Sequence, residues 1–240
     1  MIHFEHISIG YLTELFKIRD LAIEAGQVYG LVGANGAGKS TFLRSLLGLQ
    51  PFLSGKILIN KEVIDPKNGK LRARQFAFVE SSFSGIEFLS VEEYILLGRT
   101  PYIGSVGRYS EKDREVLEET IRLFDLEKFR KLGTDKLSDG ERQIAAIARA
   151  IAQETQVILL DEPTAFLDYG NKKRILELLM RVAKEKNLTV ILSTHDIDLC
   201  LQEEQISILL IDRNEKELIR CSGSVSKEEI LKNAFGYTDK

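Results

Sequence analysis

The sequence predicts an α/β protein in which helices cover a mostly parallel β-sheet. Two patterns in the 240 residues indicate this fold class. In the last third, apolar runs of strand length alternate with helical patterns, as expected for parallel strands joined by helices. In the middle third, helix starts follow one another without an intervening strand, which indicates a helical subdomain inserted into the α/β core.

Composition narrows the class of protein. The chain is 44% hydrophobic and 29% charged, which suits a soluble globular protein and excludes a disordered one. A formal net charge of −3 gives no basic surface for a dedicated nucleic-acid binder. No apolar run approaches the ~20 residues of a membrane span, and the N-terminus does not resemble a signal peptide. Cys200 and Cys221 form no disulfide framework, so we expect buried thiols and a cytoplasmic protein.

Strand patterns dominate the first third of the chain. The predicted strands there cover residues 2–9, 16–23, 27–32, 55–60 and 76–79. The only helix predicted in this part spans about 39–47, where four apolar residues share one stripe: Phe42, Leu43, Leu46 and Leu47. The dipeptide Asn60-Lys61 predicts the turn that closes the fourth strand.

Serine caps mark most of the later helices. Ser90 begins a helix to about residue 97, Ser110 one to about 124, and Ser226 a final one. A helix over about 140–152 follows from apolar residues at helical spacing, namely Ile144, Ile147, Ala148 and Ile151. Another helix is expected over about 171–186. The strands predicted in the last third cover residues 157–160, 189–193, 206–211 and 217–221.

Residues 33–41 read GANGAGKST, which satisfies the P-loop pattern Gly-x4-Gly-Lys-Ser/Thr between a strand and a helix. Glycines let backbone N–H groups turn toward phosphate oxygens, and the helix start adds its positive end. Lys39 would reach the β- and γ-phosphates, and the Ser40 hydroxyl would bind Mg²⁺. The predicted nucleotide-binding residues are Gly33, Ala34, Asn35, Gly36, Ala37, Gly38, Lys39, Ser40 and Thr41.

A P-loop alone does not separate a GTPase, a kinase and an ATPase. The guanine-recognition pattern Asn-Lys-x-Asp is missing at both Asn-Lys dipeptides of the chain. Asn60-Lys61 continues with Glu-Val, and Asn171-Lys172 continues with Lys-Arg. The GTPase interpretation therefore loses its main sequence support.

Acidic and histidine side chains follow two buried strands of the predicted parallel sheet. Ligands bind beyond the carboxyl ends of such strands, which is where the P-loop also lies. Asp161 can hold Mg²⁺ through water, and Glu162 can polarise an attacking water. His195, after the next strand, could contact the γ-phosphate or hold that water. The alternatives are a solvated acidic turn and an ordinary polar strand end.

Five motifs in this order resemble the ABC ATPase family over the whole chain. They are GANGAGKST at 33–41, LSDGE at 137–141, VILLDEP at 157–163, AFLD at 165–168 and STHD at 193–196. The resemblance implies a P-loop RecA-like core with an antiparallel β subdomain, residues 1–82 and 153–240. It also implies a helical signature subdomain over about 83–152, all within one ABC ATPase domain.

The resemblance further implies a head-to-tail dimer, expected to be a homodimer, with ATP between the subunits. In that arrangement Ser138 and Gly140 contact the γ-phosphate of the partner's ATP, and Asp168 communicates between the sites. Tyr11 matches the aromatic residue that stacks on adenine, with a surface tyrosine as the alternative.

The signature segment departs from the family's usual LSGGQ at Asp139 and Glu141. Ser138 and Glu141 form the Ser-x-x-Glu pattern of a capping box, so we expect the helix start to survive. We also expect the two acids to weaken closure of the dimer on ATP modestly, since they add negative charge near the γ-phosphate.

Residues 97–102 and 107–110, LGRTPY and GRYS, resemble the helical subdomain of ATPases that serve ferric-siderophore, heme and cobalamin importers. This resemblance implies ATP hydrolysis coupled to uptake, permease subunits, an extracytoplasmic binding protein, and a location at the inner face of the membrane. The alternative for Arg99 and Arg108 is that they are solvated loop residues. The competing function is a soluble ABC ATPase that acts on a macromolecular assembly.

The family places a Mg²⁺-binding glutamine after the strand predicted at 76–79, and this chain lacks it. The matching position is Ser81, which could reach the metal through a water. Glu80 is the alternative, because a carboxylate binds Mg²⁺ well. Neighbouring side chains on a strand point apart, so only one of the two can face the metal. We favour Ser81.

Overall fold

The computed structural model of the chain describes residues 1–64, 68–104, 107–165, 167–221 and 225–236. Within these residues ten strands form one mixed sheet. The strands are β1 (Ile2–Gly10), β2 (Glu14–Ile23), β3 (Val28–Val32), β4 (Ser54–Ile59), β5 (Glu62–Val63), β6 (Phe76–Val79), β7 (Val157–Leu160), β8 (Thr189–Ser193), β9 (Ile206–Asp212) and β10 (Glu217–Arg220).

Eight α-helices accompany the sheet in the same described residues. They are α1 (Lys39–Leu46), α2 (Gly69–Gln75), α3 (Val91–Leu96), α4 (Glu111–Leu123), α5 (Asp139–Ala152), α6 (Tyr169–Glu185), α7 (Ile197–Gln202) and α8 (Lys227–Phe235). Short 3₁₀ helices cover Leu97–Tyr102, Glu127–Phe129 and Thr134–Lys136. None of these helices is long and apolar enough to cross a lipid bilayer.

The strand order is β5-β4-β1-β2-β10-β9-β3-β8-β7-β6. β9, β3, β8, β7 and β6 run parallel, as the sequence predicts for buried apolar strands. In the row β5-β4-β1-β2 each strand pairs antiparallel with its neighbour. The α/β fold class is therefore confirmed, and the antiparallel strands are continuous with the parallel ones rather than a separate sheet.

Three features of the fold go beyond the sequence predictions. β10 pairs antiparallel with β9, so these two strands form a hairpin within the mostly parallel part of the sheet. The helices α2 and α7 were not expected, because each is under eight residues and carries no clear apolar stripe. The short strand β5 was not predicted either, because two residues are too few to show an alternating hydrophobic pattern.

Two hydrophobic clusters of the core are formed by different sets of residues. The smaller cluster holds α1 against the antiparallel strands, where the Phe42 ring lies 5.7 Å from that of Phe4 and 6.3 Å from that of Phe16. The larger cluster joins the parallel strands to α3, α4, α5 and α6. The P-loop helix is thus anchored by aromatic packing at the start of the site.

The predicted serine caps are present at all the expected helix starts. Ser90, Ser110 and Ser138 each form a complete capping box with the acid three residues later. Ser226 accepts a hydrogen bond from the backbone of Glu229 and begins α8. Local hydrogen bonding therefore sets the first residue of these helices, which is why their sequence signals were reliable.

Arg99 is not the solvated loop residue of the alternative interpretation. Its side chain is only 2% exposed, and its Nε donates to Asp113 Oδ1 at 2.8 Å. One terminal nitrogen donates to the Ala152 carbonyl at 2.7 Å and to Glu154 at 2.8 Å. The guanidinium also lies over the Tyr102 ring at 4.2 Å. Arg99 therefore joins α4 to the end of α5.

Two neighbouring residues complete the physical account of this motif. A Cβ on Gly98 would lie 2.3 Å from the Arg149 carbonyl oxygen, so only glycine allows this contact with α5. Arg108 is exposed, as the alternative interpretation expected. The segment LGRTPY at 97–102 thus packs tightly against α5.

Candidate active site

The P-loop runs from the end of β3 to the start of α1. Gly38 has a φ of +105°, a conformation that a residue with a side chain rarely adopts. A Cβ on Gly33 would lie 3.2 Å from the Cβ of Ile211, so glycine allows the loop to pass close to β9. The Ala37 N–H donates to the Ala34 carbonyl at 3.1 Å and closes a turn. The remaining members of the motif lie in this turn or in the first turn of α1: Asn35, Gly36, Ser40 and Thr41.

The start of α1 is suited to an anion. Its N-cap residue, Gly38, makes no side-chain hydrogen bond to the helix. The first N–H groups of a helix carry partial positive charge and have no intrahelical acceptor. Phosphates therefore bind readily at such a helix start.

Lys39 lies folded against its own loop. The side chain is 6% exposed, and its Nζ donates to the Gly33 carbonyl at 2.8 Å and to that of Ala34 at 3.4 Å. Burial lowers the pKa of Lys39, while the carboxylates of Glu162 and Asp161 act in the opposite direction. The P-loop and both acids follow β3 and β7, which run parallel on either side of β8, so they lie at the same edge of the sheet.

The two acids lie at the end of β7, directly beside the end of β8. The Ser193 hydroxyl donates to Asp161 Oδ1 at 2.6 Å and accepts from the Glu162 N–H at 2.8 Å. Ser193 was not singled out as a site residue. The available signal was its position at the end of a strand that neighbours β7. A single hydroxyl thus orients one acid and the backbone of the other.

His195 contacts Glu162. The distance from His195 Nε2 to Glu162 Oε1 is 2.8 Å, and both side chains are partly exposed. Glu162 has a φ of +46°, which is uncommon for a residue with a side chain and is often found at functional sites. The structure therefore brings together the acid and the histidine that the sequence places 33 residues apart.

Asp196, next to His195, makes contacts that sequence reasoning missed. Its two carboxylate oxygens lie 3.1 and 3.0 Å from Lys172 Nζ. The Thr164 hydroxyl donates to Asp196 Oδ2 at 3.2 Å. These partners are 24 and 32 residues away in the chain, so no local pattern announces them.

The signature segment begins α5. Ser138 accepts from the Glu141 N–H and donates to the Glu141 carboxylate at 2.7 Å, and this hydrogen bond lowers the pKa of Glu141. Asp139 forms an ion pair with Arg142. The expected excess of negative charge here is therefore partly compensated within the same helical turn.

Asp168 is the N-cap of α6 and accepts from the Asn171 N–H at 3.0 Å and from the Asn171 side chain at 2.6 Å. These hydrogen bonds lower the pKa of Asp168. A Cβ on Gly140 would lie 3.5 Å from Asn171, so the starts of α5 and α6 are adjacent in one subunit. Phe166, within the 165–168 motif, lies outside the described residues.

The remaining candidates lie apart from these contacts. Tyr11 follows β1 and is 62% exposed, which leaves its ring open to a ligand. Ser81 and Glu80 follow β6 and line different cavities, as alternation predicts. The Ser81 cavity, about 300 Å³, also contains Asp139 and Pro163. In the described residues no group of three or more His, Cys, Asp or Glu side chains could hold a metal.

Both cysteines line one cavity between α7 and β10, far along the chain from the P-loop. Cys200 is buried as expected, whereas Cys221 is half-buried. Burial raises the pKa of Cys200 to about 12 and that of Cys221 to about 11. Both therefore remain thiols at neutral pH.

Comparison with known proteins decides the family. The family model described as ABC transporter matches residues 16–165. An uncharacterized ABC transporter ATP-binding protein of Methanocaldococcus jannaschii is 34% identical over 98% of this chain and 81% of its own length. The chain belongs to the ABC transporter family. A probable siderophore transport system ATP-binding protein of Bacillus subtilis is 33% identical to this ABC ATPase over 96% of the chain and 84% of the relative.

Solved structures agree with the relatives. A chain of a transporter described as metal-chelate type, in an inward-facing conformation, superimposes with a TM-score of 0.79 at 29% identity and covers 98% of this chain and 88% of that one. A dimeric ATP-binding cassette bound to ADP and Pi matches with a TM-score of 0.74 at 27% identity, over 94% of this chain and 100% of that one. The curled α/β fold is thus that of an ABC cassette, and the protein is an ATP-binding ATP hydrolase of a transporter.

Proposed function

We propose that this ABC ATPase powers an importer for a metal chelate of the siderophore, heme or cobalamin class. The relatives in Bacillus species support this, since they include one named for iron(3+)-hydroxamate import, 32% identical over 81% of this chain and 72% of its own length. The competing function, a non-transport ABC ATPase acting on a macromolecular assembly, is not favoured by these relatives. No nucleic acid is expected as a partner.

One observation supports the proposed hydrolysis site: His195 contacts Glu162 beside the P-loop. In this proposal residues 33–41 bind the phosphates of ATP, and Tyr11 stacks on the adenine. Glu162 accepts a proton from water as the water oxygen bonds to the γ-phosphorus. The bond from phosphorus to the bridging oxygen then breaks, which releases ADP and phosphate. His195 keeps the Glu162 carboxylate facing the water.

The donor set of this edge fits Mg²⁺. Ser40 offers a hydroxyl, Asp161 offers a carboxylate that Ser193 orients, and Ser81 could add a water-mediated contact. Mg²⁺ prefers oxygen ligands, and it needs few carboxylates when phosphate oxygens complete its coordination shell. When bound, the ion would neutralise charge that develops on the phosphate oxygens.

The proposed assembly contains two copies of the chain, two permease subunits and an extracytoplasmic binding protein. Ser138 and Gly140 contact the ATP of the partner copy, and Asp168 communicates between the sites. The chain acts as one domain, with core residues 1–82 and 153–240 and a helical part at about 83–152. This assembly places the ATPase at the cytoplasmic face of the membrane.

A cavity of about 610 Å³ between β6 and the helices α2, α3 and α5 suits the permease. Its wall includes the aromatic residues Phe78, Phe83 and Tyr94 together with the charged residues Glu80 and Arg149. Apolar and charged groups in one depression fit an amphipathic segment of a partner protein. The proposal assigns this surface to a cytoplasmic segment of the permease.

Deletion of the gene, followed by uptake assays with labelled ferric siderophore, heme and cobalamin, tests the function. We expect uptake of one compound to fall and to return with the wild-type gene but not with Glu162→Gln. The ATPase should co-purify with a permease from detergent-solubilised membranes. Normal uptake of all three compounds in a strain without redundant systems would contradict the importer proposal.

A further inference from the structure

The carboxylate of Asp196 touches two elements besides its own turn. It faces Lys172 in the first turn of α6 and Thr164 in the segment that follows Asp161 and Glu162. Asp196 itself comes directly after His195. We infer that Asp196 and Lys172 are positioning residues that hold the turn of His195 against Glu162 for hydrolysis. The inference rests on the proposed roles of His195 and Glu162.

The contacts with Lys172 are well formed. Both carboxylate oxygens of Asp196 lie within 3.1 Å of Lys172 Nζ. The side chains are 20% and 35% exposed, for lysine and aspartate respectively. An ion pair that is partly exposed but held at two oxygens is better oriented than a surface pair held at one. It can therefore restrict the aspartate to one orientation.

Thr164 links this cluster to the catalytic acid. The Thr164 hydroxyl donates to Asp196 at 3.2 Å, and Thr164 is two residues after Glu162. The backbone between them is turned, because the Ala165 N–H donates to the Glu162 carbonyl at 3.1 Å. A shift of Asp196 would consequently displace both residues of the contact between His195 and Glu162.

Packing alone does not hold the histidine. A cavity of about 440 Å³ adjoins His195, and Lys172 and Asp196 line the same cavity. Three backbone N–H groups donate within the turn and the start of α7: Asp196 to the Thr194 hydroxyl at 2.9 Å, Ile197 to the His195 carbonyl at 3.0 Å and Cys200 to the Asp196 carbonyl at 3.2 Å. None of them reaches the turn that carries Glu162, whereas the Ser193 hydroxyl and the Asp196 carboxylate do.

The ion pair of Asp196 with Lys172 also links the turn that carries His195 to the start of α6. Lys172 belongs to the helix that Asp168 caps, and the Lys172 N–H donates to the Asp168 carbonyl at 3.0 Å. A displacement of the α6 start would pull on Asp196 through its ion pair. Asp168, Lys172 and Asp196 thus connect the segment at 165–168 to the turn that carries His195.

Steady-state ATP hydrolysis by purified full-length Lys172→Ala and Asp196→Ala tests the inference. A misplaced catalytic group lowers turnover more than binding, so we expect kcat to fall by about 10- to 100-fold. KM for ATP should stay within about twofold, since neither residue lies in the P-loop. Lys172→Arg should recover most of kcat, because the arginine guanidinium keeps the charge and can bind both carboxylate oxygens.

Two controls separate positioning from other roles. Lys173→Ala removes the neighbouring, exposed lysine, which pairs only loosely with Glu177 at 3.9 Å, and should hydrolyse ATP normally. ATP-induced dimerisation of Lys172→Ala, measured in the Glu162→Gln background, should match that of Glu162→Gln alone. Loss of that dimer would overturn the inference in favour of an interface role.

The remaining outcomes are also decisive. Unchanged kcat in Lys172→Ala and Asp196→Ala, with Glu162→Gln inactive, would overturn the inference while leaving the catalytic role of Glu162 intact. Full hydrolysis by Glu162→Gln would instead remove the proposed base. A fall in melting temperature that accounts for the whole loss of activity would show a merely structural cluster.

Discussion

At the scale of single residues, the chemistry depends on side chains at the ends of adjacent parallel strands. Ser193 orients Asp161, while His195 contacts Glu162. The roles of these residues in catalysis remain predictions. Because each of these side chains makes a different contact, single substitutions can test their roles separately.

Glu162→Gln should reduce hydrolysis by ~10²-fold or more, since the amide keeps shape and hydrogen bonding but is a poor base. ATP would then be bound without being consumed, and an ATP-bound dimer should accumulate. Phosphate release and gel filtration with ATP measure the two effects. Near wild-type turnover in the purified variant would exclude Glu162 as the base.

Lys39→Ala should act on binding instead. The side chain supplies a charge-assisted hydrogen bond to phosphate, so its removal should cost about 1.5–3 kcal/mol of ATP-binding free energy. Burial already lowers the pKa of Lys39, and the nearby carboxylates favour its charged form. Calorimetric titration with ATP measures the loss, and an unchanged dissociation constant would contradict it.

The position of the missing glutamine yields a paired test. If Ser81 faces the metal through water, Ser81→Gln should preserve or raise Mg²⁺-dependent hydrolysis, and Glu80→Ala should be mild. The two side chains line different cavities, which supports a division of roles. A severe defect in Glu80→Ala together with a neutral Ser81→Ala would reverse the assignment.

At the scale of elements, buried polar groups join the helices of residues 91–152. Arg99 binds Asp113 on α4 and the carbonyl of Ala152 at the end of α5. Burial tends to raise the pKa of Asp113, but hydrogen bonds from Ser110 and Arg99 outweigh this and hold it below the ordinary value. The charged form of Asp113 is therefore favoured by folding.

The sign of the pH dependence follows from that lowered pKa. Its stabilisation is fully present above the unfolded pKa of about 4 and is lost as pH falls through the lower folded value. Asp113→Asn should therefore lower the free energy of unfolding by about 2–3 kcal/mol at pH 7. Urea unfolding measures the difference in the free energy of unfolding between the wild-type protein and Asp113→Asn. We expect this difference to be the same at pH 7 and 5 and smaller at pH 3. A difference that persists undiminished at pH 3 would argue against the charge.

At the scale of the whole molecule, the signature segment is proposed to meet a second copy. The ion pair between Asp139 and Arg142 compensates one of the two unusual acids. In the Glu162→Gln background, Arg142→Ala should therefore weaken ATP-induced dimerisation at low salt more than Asp139→Gly changes it. Sedimentation at two salt concentrations measures this. Equal effects of both changes would mean that Asp139 is not compensated.

Much of this protein was determined by sequence alone, because the relevant signals are local. The P-loop spacing, the capping boxes and the apolar runs each depend on residues within a few positions of one another. The rule that ligands bind beyond the carboxyl ends of parallel strands predicts that Lys39, Asp161 and Glu162 lie at one edge of the sheet. In the structure they follow β3 and β7, which run parallel on either side of β8. The fold class and the family follow from these patterns.

Only the tertiary structure decided which distant side chains meet. The order β3-β8-β7 does not follow the chain, so the hydroxyl of Ser193 beside Asp161 and the cluster of Asp196, Lys172 and Thr164 have no local signature. Arg99 is charged and lies in the short 3₁₀ helix Leu97–Tyr102, yet packing buries it because three acceptors converge on it. Hydrogen bonds between elements depend on how those elements pack, and a periodic pattern in one segment carries no information about the partner that another segment will supply.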